Sequence, residues 1–359
     1  MSRKFLIIPL LIVLVGSLIF GACTAAPAPA PTPSPTPTPA PTPTETIELK
    51  VNYEVPAVGI THRFSWVPFK EAVEERTGGK VKVTLFPGAA LGRMSEAYAV
   101  TESGVADISW FSHATYPGRF PLFELFNLPL GIPTFAVGQS IVKELWKQFP
   151  EVIEAQHPGV KFLSMHADEG EPLYMAKEKV LTLEDLKGKR IGAERSIQPT
   201  IEILGGAPIA LWGPDLYMAL EKGTLDGAAF PYSPSTSFKL FEVVKYAGWV
   251  RWGSASHPTV MNLDTWNKLS PEFQSIILEE AWRKEDNQAS AQIPFKNETM
   301  KAWEGAGCEF YELDPEELAK WEKMYQPLYD DYVENTEKLG LPGKQFLDIA
   351  LRIVKESKR

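Results

Sequence analysis

Cysteine and histidine are scarce, because the 359-residue chain contains only two cysteines and five histidines. The cysteines are Cys23, near the N-terminus, and Cys308. Since Cys23 lies in the processing site described below, one cysteine is left in the globular part and no internal disulfide can form. We therefore expect packing, rather than covalent cross-links, to stabilise the fold.

The sequence also lacks the short motifs of common hydrolases, since neither Gly-x-Ser-x-Gly nor His-Glu-x-x-His occurs. His166 and Asp168 could share a strand face, but no nucleophile or further metal ligand accompanies them. A formal net charge of −9 without a basic pattern argues against nucleic acid or an anionic membrane as partner. We therefore expect that the protein is not an enzyme and that it binds neither a cofactor nor a metal ion.

One long apolar run is present, at the N-terminus. Arg3 and Lys4 precede the uncharged residues 5–22, and Cys23 follows Gly-Ala. A basic start, an apolar core and small residues before the cut are typical of a secretory signal peptide. The Gly-Ala-Cys end resembles a bacterial lipobox, which implies lipidation of Cys23. The alternative is an uncleaved membrane anchor, because eighteen apolar residues approach the length needed to span a bilayer.

Proline dominates the next segment. After a signal peptide of residues 1–22, residues 23–46 consist almost wholly of Thr, Ala and Pro, with Pro at every second position from Pro27 to Pro43. Proline fixes φ and removes the amide donor, so this segment cannot form helix or sheet. We expect a lipidated cysteine followed by an extended, semi-rigid stalk.

Strand and helix patterns alternate from residue 47 onward. The predicted strands are 47–51, 81–85, 106–110, 160–165, 189–193, 207–211 and 226–230, and the predicted helices between them are 64–77, 95–103, 137–148, 197–204 and 214–223. This order predicts an α/β protein with mostly parallel sheets flanked by helices. Two more helices are predicted at 271–305 and 321–339, and the first is long enough to lie across two domains.

A series of short stretches carries a family resemblance across most of residues 47–345. They are Thr-Gly-Gly-Lys-Val-Lys-Val (77–83), Phe-Pro-Gly (86–88), Gly-Val-Ala-Asp-Ile-Ser (104–109), Leu-Pro-Leu (128–130), Leu-Glu-Asp-Leu-Lys-Gly-Lys-Arg-Ile (183–191), Leu-Gly-Gly-Ala-Pro (204–208), Gly-Thr-Leu-Asp-Gly (223–227) and Trp-Asn-Lys-Leu-Ser-Pro (266–271). In this order they resemble the solute-binding proteins of tripartite ATP-independent periplasmic (TRAP) transporters, of the C4-dicarboxylate-binding (DctP) type.

The resemblance implies a two-lobed, periplasmic-binding-protein-like fold with the long helix spanning both lobes. One lobe would hold residues 46–165 plus 250–290, and the other 166–249 plus 291–359. The protein would then be an extracytoplasmic solute-binding protein, in the periplasm or on the outer face of the cell membrane. It would close on a small organic acid and deliver it to TRAP membrane subunits. An ABC-type extracellular solute-binding lipoprotein is the alternative.

Ligands of open α/β sheets bind beyond the carboxyl ends of the strands. The residues there are Tyr53 and Glu54, Trp110 to His113, His166 to Glu171, Gly192 to Arg195, and Phe230 to Tyr232. From these we predict a ligand site made of Arg195, Trp110, Phe111, Ser112, Phe230, Tyr232 and Glu171. Ordinary core packing is an equal alternative for the aromatic residues, and a structural role is favoured for His113 and His166.

The site departs from the family pattern at its arginines. Members of the family hold the ligand carboxylate with two arginines, and Gly192 and Glu171 stand at those positions here. Arg195 or Arg190 could supply a displaced guanidinium, whose forked donors fit a carboxylate. The acidic residues 168–171 could face a hydroxyl, an amine or a divalent cation, although a plain acidic loop is favoured. We expect weak binding of C4-dicarboxylates and better binding of a monocarboxylate with an apolar or aromatic body.

Overall fold

A computed structural model describes residues 46–211 and 213–358 of the chain. The predicted signal peptide, the lipidated Cys23 and the stalk as far as residue 45 lie outside the described residues. Among the described residues, no helix combines the length and apolar character that crossing a membrane requires.

The secondary structure follows the predicted alternation of strands and helices. The strands found in the described residues are β1 Ile47–Asn52, β2 Val81–Phe86, β3 Ile108–Trp110, β4 Val160–Ala167, β5 Leu173–Met175, β6 Arg190–Ala193, β7 Ala207–Ala210, β8 Gly227–Ala229, β9 Tyr246–Gly248, β10 Ser256–Asn262 and β11 Glu309–Tyr311. The α-helices in the same residues are α1 Val67–Arg76, α2 Ala97–Glu102, α3 Phe135–Gln148, α4 Pro150–Ala155, α5 Leu183–Leu186, α6 Gln198–Ile203, α7 Pro214–Glu221, α8 Tyr232–Ser237, α9 Leu263–Lys268, α10 Pro271–Gly305, α11 Pro315–Met324, α12 Gln326–Lys338 and α13 Gly343–Ser357. A π-helical turn, His62–Trp66, precedes α1, and short 3-10 helices cover His113–Thr115, Pro121–Asn127 and Leu240–Glu242.

Two mixed sheets organise these elements. The first has the strand order β2-β1-β3-β10-β4, and the second has the order β11-β9-β5-β8-β6-β7. The pairs are parallel except where β10 or β5 takes part, since each of these strands runs antiparallel to both neighbours. The prediction of an α/β fold with mostly parallel sheets is therefore confirmed.

Local sequence explains why the elements form where they do. Strand β2 alternates buried valines with exposed lysine and threonine, which gives one face to the core and one to solvent. Helix α3 begins after Thr134, whose side chain accepts a hydrogen bond from the amide of Val137. Helix α5 is started by a capping box in which Thr182 and Asp185 satisfy each other's backbone donors.

The chain passes between the two sheets along a pair of adjacent antiparallel segments. Residues 168–172 lead from β4 to β5, and residues 249–255 lead from β9 back to β10. Hydrogen bonds join the two segments: the amide of Asp168 donates to Ala255, at 2.9 Å, and that of Glu171 donates to Gly253, at 3.1 Å. This two-stranded connection is the most direct backbone link between the sheets.

Helix α10 has the bounds predicted from the sequence, Pro271–Gly305, and keeps Pro294 within it. It begins after Ser270, whose hydroxyl accepts from the amide of Phe273. Ile277, in its first half, packs with the strands of the first sheet, whereas Trp303, near its end, packs with residues of the second. The predicted helix that spans both lobes is therefore confirmed.

The C-terminal helices differ from the prediction of one helix at 321–339. Pro327 lies in the first turn of α12, where the missing amide costs nothing, and α11 ends just before Tyr325. Trp321 of α11 packs in the core of the second sheet, whereas Phe346 of α13 packs with the helices beside the first. Tyr332 of α12 packs in the same cluster as Phe346, beside residues of β4 and β10.

Candidate functional site

The connection between the sheets approaches its neighbours too closely for most side chains. A Cβ at Gly170 would lie 2.7 Å from the carbonyl carbon of Arg251, and one at Gly253 would lie 2.3 Å from the carbonyl oxygen of Asn127. Only glycine fits at such separations. These glycines fix the path of the acidic residues 168–171, which lie where the chain leaves the first sheet.

An aromatic stack covers the end of the first sheet beside this connection. The ring of Trp110, on β3, lies over His257 of β10 at a centroid distance of 4.7 Å, and His257 lies 5.0 Å from His166 of β4. Antiparallel pairing of β10 with β4 places His257 directly opposite His166. The three rings thus come from neighbouring strands and restrict one another.

A buried chain of charges extends from this stack into α10. Nδ1 of His166 lies 2.7 Å from Oε2 of Glu285, and Oε1 of Glu285 is paired with the ammonium of Lys284. The hydroxyl of Ser164 also donates to Oε1, at 2.8 Å. Burial alone would raise the pKa of Glu285, but Lys284 and His166 outweigh it and lower that pKa to about 2. Glu285 is therefore a fully ionised carboxylate in the interior.

Asp168 joins the stack from its other side. Its Oδ2 lies 2.9 Å from Nε2 of His257, and its Oδ1 lies 3.9 Å from Nε2 of His166. Burial would raise the pKa of Asp168, but the two histidines lower it below its usual range. The carboxylate keeps about a quarter of its side chain exposed, 28 %, so it is accessible from solvent.

Glu169 forms an ion pair with a lysine of α10. Its Oε2 lies 2.9 Å from Nζ of Lys296, and that ammonium lies 4.0 Å from the ring centroid of Trp249 and 5.9 Å from that of Tyr232. A cation over an aromatic face adds to the attraction of the ion pair. Burial raises the pKa of Tyr232, whose hydroxyl has no hydrogen-bond partner in the described part of the chain. Helix α10 therefore contributes two charges near the acidic segment, Glu285 beside His166 and Lys296 beside Glu169.

Glu171 is buried without a matching cation. Its Oε2 has no hydrogen-bond partner among the described residues. Burial, with smaller contributions from Glu194 and Asp168, raises its pKa well above the usual glutamate range. A neutral, protonated Glu171 can donate a hydrogen bond, which an ionised carboxylate cannot.

We expect Glu171 to make stability fall as the pH rises. The folded state holds the proton more tightly than the unfolded chain, so its contribution is fully present below about pH 4.3, where an exposed glutamate ionises. The contribution is lost as the pH rises from there through the raised pKa of Glu171. Glu171→Gln keeps the shape and removes this dependence.

Thermal unfolding of the two proteins between pH 4 and pH 8 measures the effect. The variant should become the more stable one as the pH rises, and parallel curves would show that Glu171 ionises normally in the folded state. Glu202→Gln, at an exposed position of α6, is the matched control.

Comparison with known proteins decides the family. The model of the bacterial extracellular solute-binding proteins of family 7, named DctP, matches residues 52–336. The chain belongs to this family. It is therefore an extracellular solute-binding protein rather than an enzyme, and the prediction of a TRAP-type binding protein is confirmed.

Individual relatives agree with the family assignment. The C4-dicarboxylate-binding periplasmic protein DctP of Rhodobacter capsulatus is 27% identical over 272 residues, which are 74% of this chain and 80% of the relative. A TRAP solute-binding protein from a marine metagenome, specific for aromatic acid ligands and bound to metahydroxyphenylacetate, has 23% identity and a TM-score of 0.75, covering 87% of this chain and 100% of that one. A TRAP protein of Bordetella bronchiseptica with bound mandelate has 22% identity and a TM-score of 0.75, with coverages of 86% and 99%. These two structures share the fold.

Gly192, which the resemblance aligns with a family arginine, lies against two leucine side chains. A Cβ built there would lie 2.4 Å from Cδ2 of Leu216 and 2.6 Å from Cδ1 of Leu225. Two leucine side chains therefore fill the space into which the side chain would project. A larger side chain at Gly192 would require these leucine side chains to move.

The two replacement candidates lie in different surroundings. Arg190 donates from Nε and Nη2 to the carboxylate of Asp226, at 3.0 and 2.9 Å, and also to the carbonyl of Gly223. Its guanidinium is thus engaged at the start of β6, away from the strand's carboxyl end. Arg195 follows that end, is exposed, and makes no ion pair or side-chain hydrogen bond with another described residue. Of the two, Arg195 alone keeps its donors available.

Two of the predicted ligand contacts lie within core clusters. Phe111 is fully buried and packs edge-on against Tyr98 and Tyr116 in the core beside the first sheet. Phe230 is also fully buried, in a core cluster of the second sheet. Both follow the last residues of short strands, where sequence alone does not show which way a side chain points.

The other predicted residues fall into two groups. Trp110, Glu171 and Tyr232 lie on or next to the connection between the sheets and carry buried polar atoms without partners in the described residues. Ser112 is buried where the first 3-10 helix begins. His113 has the structural role favoured for it, since its nitrogens lie 2.8 Å from the hydroxyl of Ser256 and 3.0 Å from Nε2 of His157.

Sequence reasoning missed three residues that shape the site. His257 occupies β10, which returns from the second sheet, and Glu285 and Lys296 lie on α10. One signal for Glu285 was available in the sequence. Lys284 and Glu285 occupy positions of the helix that face the core, where apolar residues are the usual choice. No local pattern pointed to His257.

Proposed function

We propose that the chain binds an organic monocarboxylate with an aromatic or apolar body between its two lobes and delivers it to TRAP membrane subunits. The observation that carries this proposal is the packing at Gly192, where leucines occupy the space for the family's arginine. With Glu171 at the second arginine position, the site offers no guanidinium pair for two carboxylates. Arg195 remains as the cationic contact for one carboxylate.

Unpartnered polar atoms support a ligand that also carries a hydroxyl group. Nε1 of Trp110 and Oε2 of Glu171 are buried and have no hydrogen-bond partner in the described residues. Buried polar groups nearly always find a partner, so a ligand that pairs with them gains affinity. Metahydroxyphenylacetate and mandelate, which two proteins of this fold bind, are hydroxylated aromatic acids.

Binding would be coupled to movement of the lobes about the connection at residues 168–172 and 249–255. Only a few backbone hydrogen bonds join the two segments of that connection, whereas the residues of each sheet pack in a hydrophobic core of their own. A ligand that contacts both sides favours the closed form by its differential affinity for that form. The lobe boundaries would follow these two segments.

Small-angle scattering tests this closure. We expect the radius of gyration to fall when mandelate or metahydroxyphenylacetate is added at a concentration that raises the melting temperature. A ligand at 100 times its dissociation constant adds about 2.7 kcal/mol, which makes saturation easy to verify. Identical scattering profiles from a protein that the same acid stabilises would contradict lobe closure without contradicting ligand binding.

We also propose that Cys23 is lipidated and anchors the protein outside the cell membrane. The basic start, the apolar residues 5–22 and the Gly-Ala-Cys sequence support this. Cys23→Ser is expected to release the protein from the membrane fraction or to block its processing, because the lipid cannot be attached. Cys308→Ser is the control, since that cysteine is buried. Full retention of the Cys23 variant in membranes would contradict the anchor.

A further inference from the structure

Two histidines and an aspartate from three different segments meet beside the connection between the sheets. His166 on β4, Asp168 after it, and His257 on β10 each offer one ligand atom, and these atoms all lie within 4.8 Å of one another. Bonds of about 2.0–2.2 Å to a tetrahedral ion need ligand atoms roughly 3.3 Å apart. Nε2 of His257 lies 2.9 Å from Oδ2 of Asp168, and Nε2 of His166 lies 3.9 Å from its Oδ1, so each imidazole faces one oxygen of the carboxylate at a separation near that value.

His166 is oriented as metal-binding histidines are. Glu285 lies 2.7 Å from Nδ1 of His166, so it accepts the ring proton there. Nε2 then carries a lone pair and faces Oδ1 of Asp168, an acceptor, at 3.9 Å. Two acceptors that face each other are stabilised by a cation between them. A carboxylate behind the histidine also fixes the tautomer and makes the imidazole a better ligand.

His257 supplies the second, independent observation. Its Nδ1 is buried and has no hydrogen-bond partner in the described residues, and its Nε2 lies against Asp168. Without an ion, Nε2 donates its proton to Asp168, and a bound ion would take the place of that proton. Trp110 stacks on this ring at a centroid distance of 4.7 Å and restricts its rotation. An ion that binds His257 would therefore cost little further side-chain entropy.

We propose that His166, Asp168 and His257 bind a divalent transition-metal ion of the zinc class. Two imidazoles and one carboxylate suit Zn²⁺, Ni²⁺ or Co²⁺, whereas Ca²⁺ and Mg²⁺ prefer oxygen ligands alone. Glu285 and Glu169 are paired with Lys284 and Lys296, so the negative charge that faces the two imidazoles is that of Asp168. Asp168 is the most exposed of the three ligands, so an ion would enter from its side. The coordination position that no protein ligand fills would face solvent on the same side.

Calorimetric titration of the purified, metal-free chain with Zn²⁺ tests the site. We expect one equivalent to bind with a micromolar or tighter dissociation constant, and Ca²⁺ not to bind there. His257→Ala and Asp168→Asn should each weaken Zn²⁺ binding about tenfold or more, as loss of a ligand requires. His62→Ala is the matched control, because this histidine pairs with Tyr53 outside the cluster and should leave affinity unchanged.

Bound Co²⁺ gives a second measurement that does not depend on heats of binding. Its visible d–d absorption should develop in the wild-type chain and be lost in His257→Ala, with circular dichroism confirming that the variant is folded. Absence of saturable Zn²⁺ binding by the wild type would overturn the proposal. So would equal binding by wild type and both ligand variants, which would mark adventitious surface sites.

Discussion

Glu285→Ala is expected to destabilise the protein by roughly 3–5 kcal/mol, because it leaves a buried charge without its partner. Lys284 and Glu285 have almost no exposed side-chain surface, at 1% and 0%. Burial already lowers the pKa of Lys284, and Glu285 opposes that shift. Without the carboxylate, Lys284 and His166 both lose their acceptor. Denaturant unfolding of the wild type and the variant measures the difference.

Asp286→Ala is the control for this experiment. Asp286 follows Glu285 on α10 but pairs with Lys143 at the surface, where both side chains are about half exposed. An exposed ion pair contributes about 0–1 kcal/mol, so the control should lose little. Adding Lys284→Met to Glu285→Ala should recover part of the loss by removing the uncompensated charge. Equal losses in the two single variants would contradict a stabilising role for the buried network.

Much of the fold could be predicted because its signals are local. Alternation in β2, the cap at Ser270 and the length of α10 are each encoded within a few neighbouring residues. The helix predicted from Pro271 to about Gly305 agrees with α10. The single helix predicted at 321–339 is instead divided at Tyr325, where Pro327 stands in the first turn of a new helix.

The site was harder to predict because its contacts are not local. His257 meets His166 only through the antiparallel register of β10 and β4, which the sequence of neither strand specifies. Glu285 reaches the same cluster from a helix. Phe111 and Trp110 are adjacent, yet one packs in the core and the other stacks at the site. Residue types at the strand ends therefore indicated the region of the candidate site. Which individual side chains reach that site depends on tertiary packing.

C4-dicarboxylates are expected to bind at least tens of times more weakly than a hydroxylated aromatic monocarboxylate. Each carboxylate buried without a partner costs roughly 2–5 kcal/mol, which is about 30-fold to several thousand-fold in affinity. Arg195 can pair with one carboxylate, but leucines fill the space beside Gly192 and Glu171 offers no positive charge to a second. The ring of Trp110 can instead cover an aromatic body.

Calorimetry with mandelate and metahydroxyphenylacetate, beside succinate, fumarate and malate, is the most direct test of this account. Arg195→Ala should weaken binding of the aromatic acids at least tenfold. Arg190→Ala, which removes the contacts with Asp226 and Gly223 at the start of β6, should leave it unchanged. The account predicts measurable binding of an aromatic acid and none of the three dicarboxylates below the micromolar range. Submicromolar binding of succinate, fumarate or malate would contradict it.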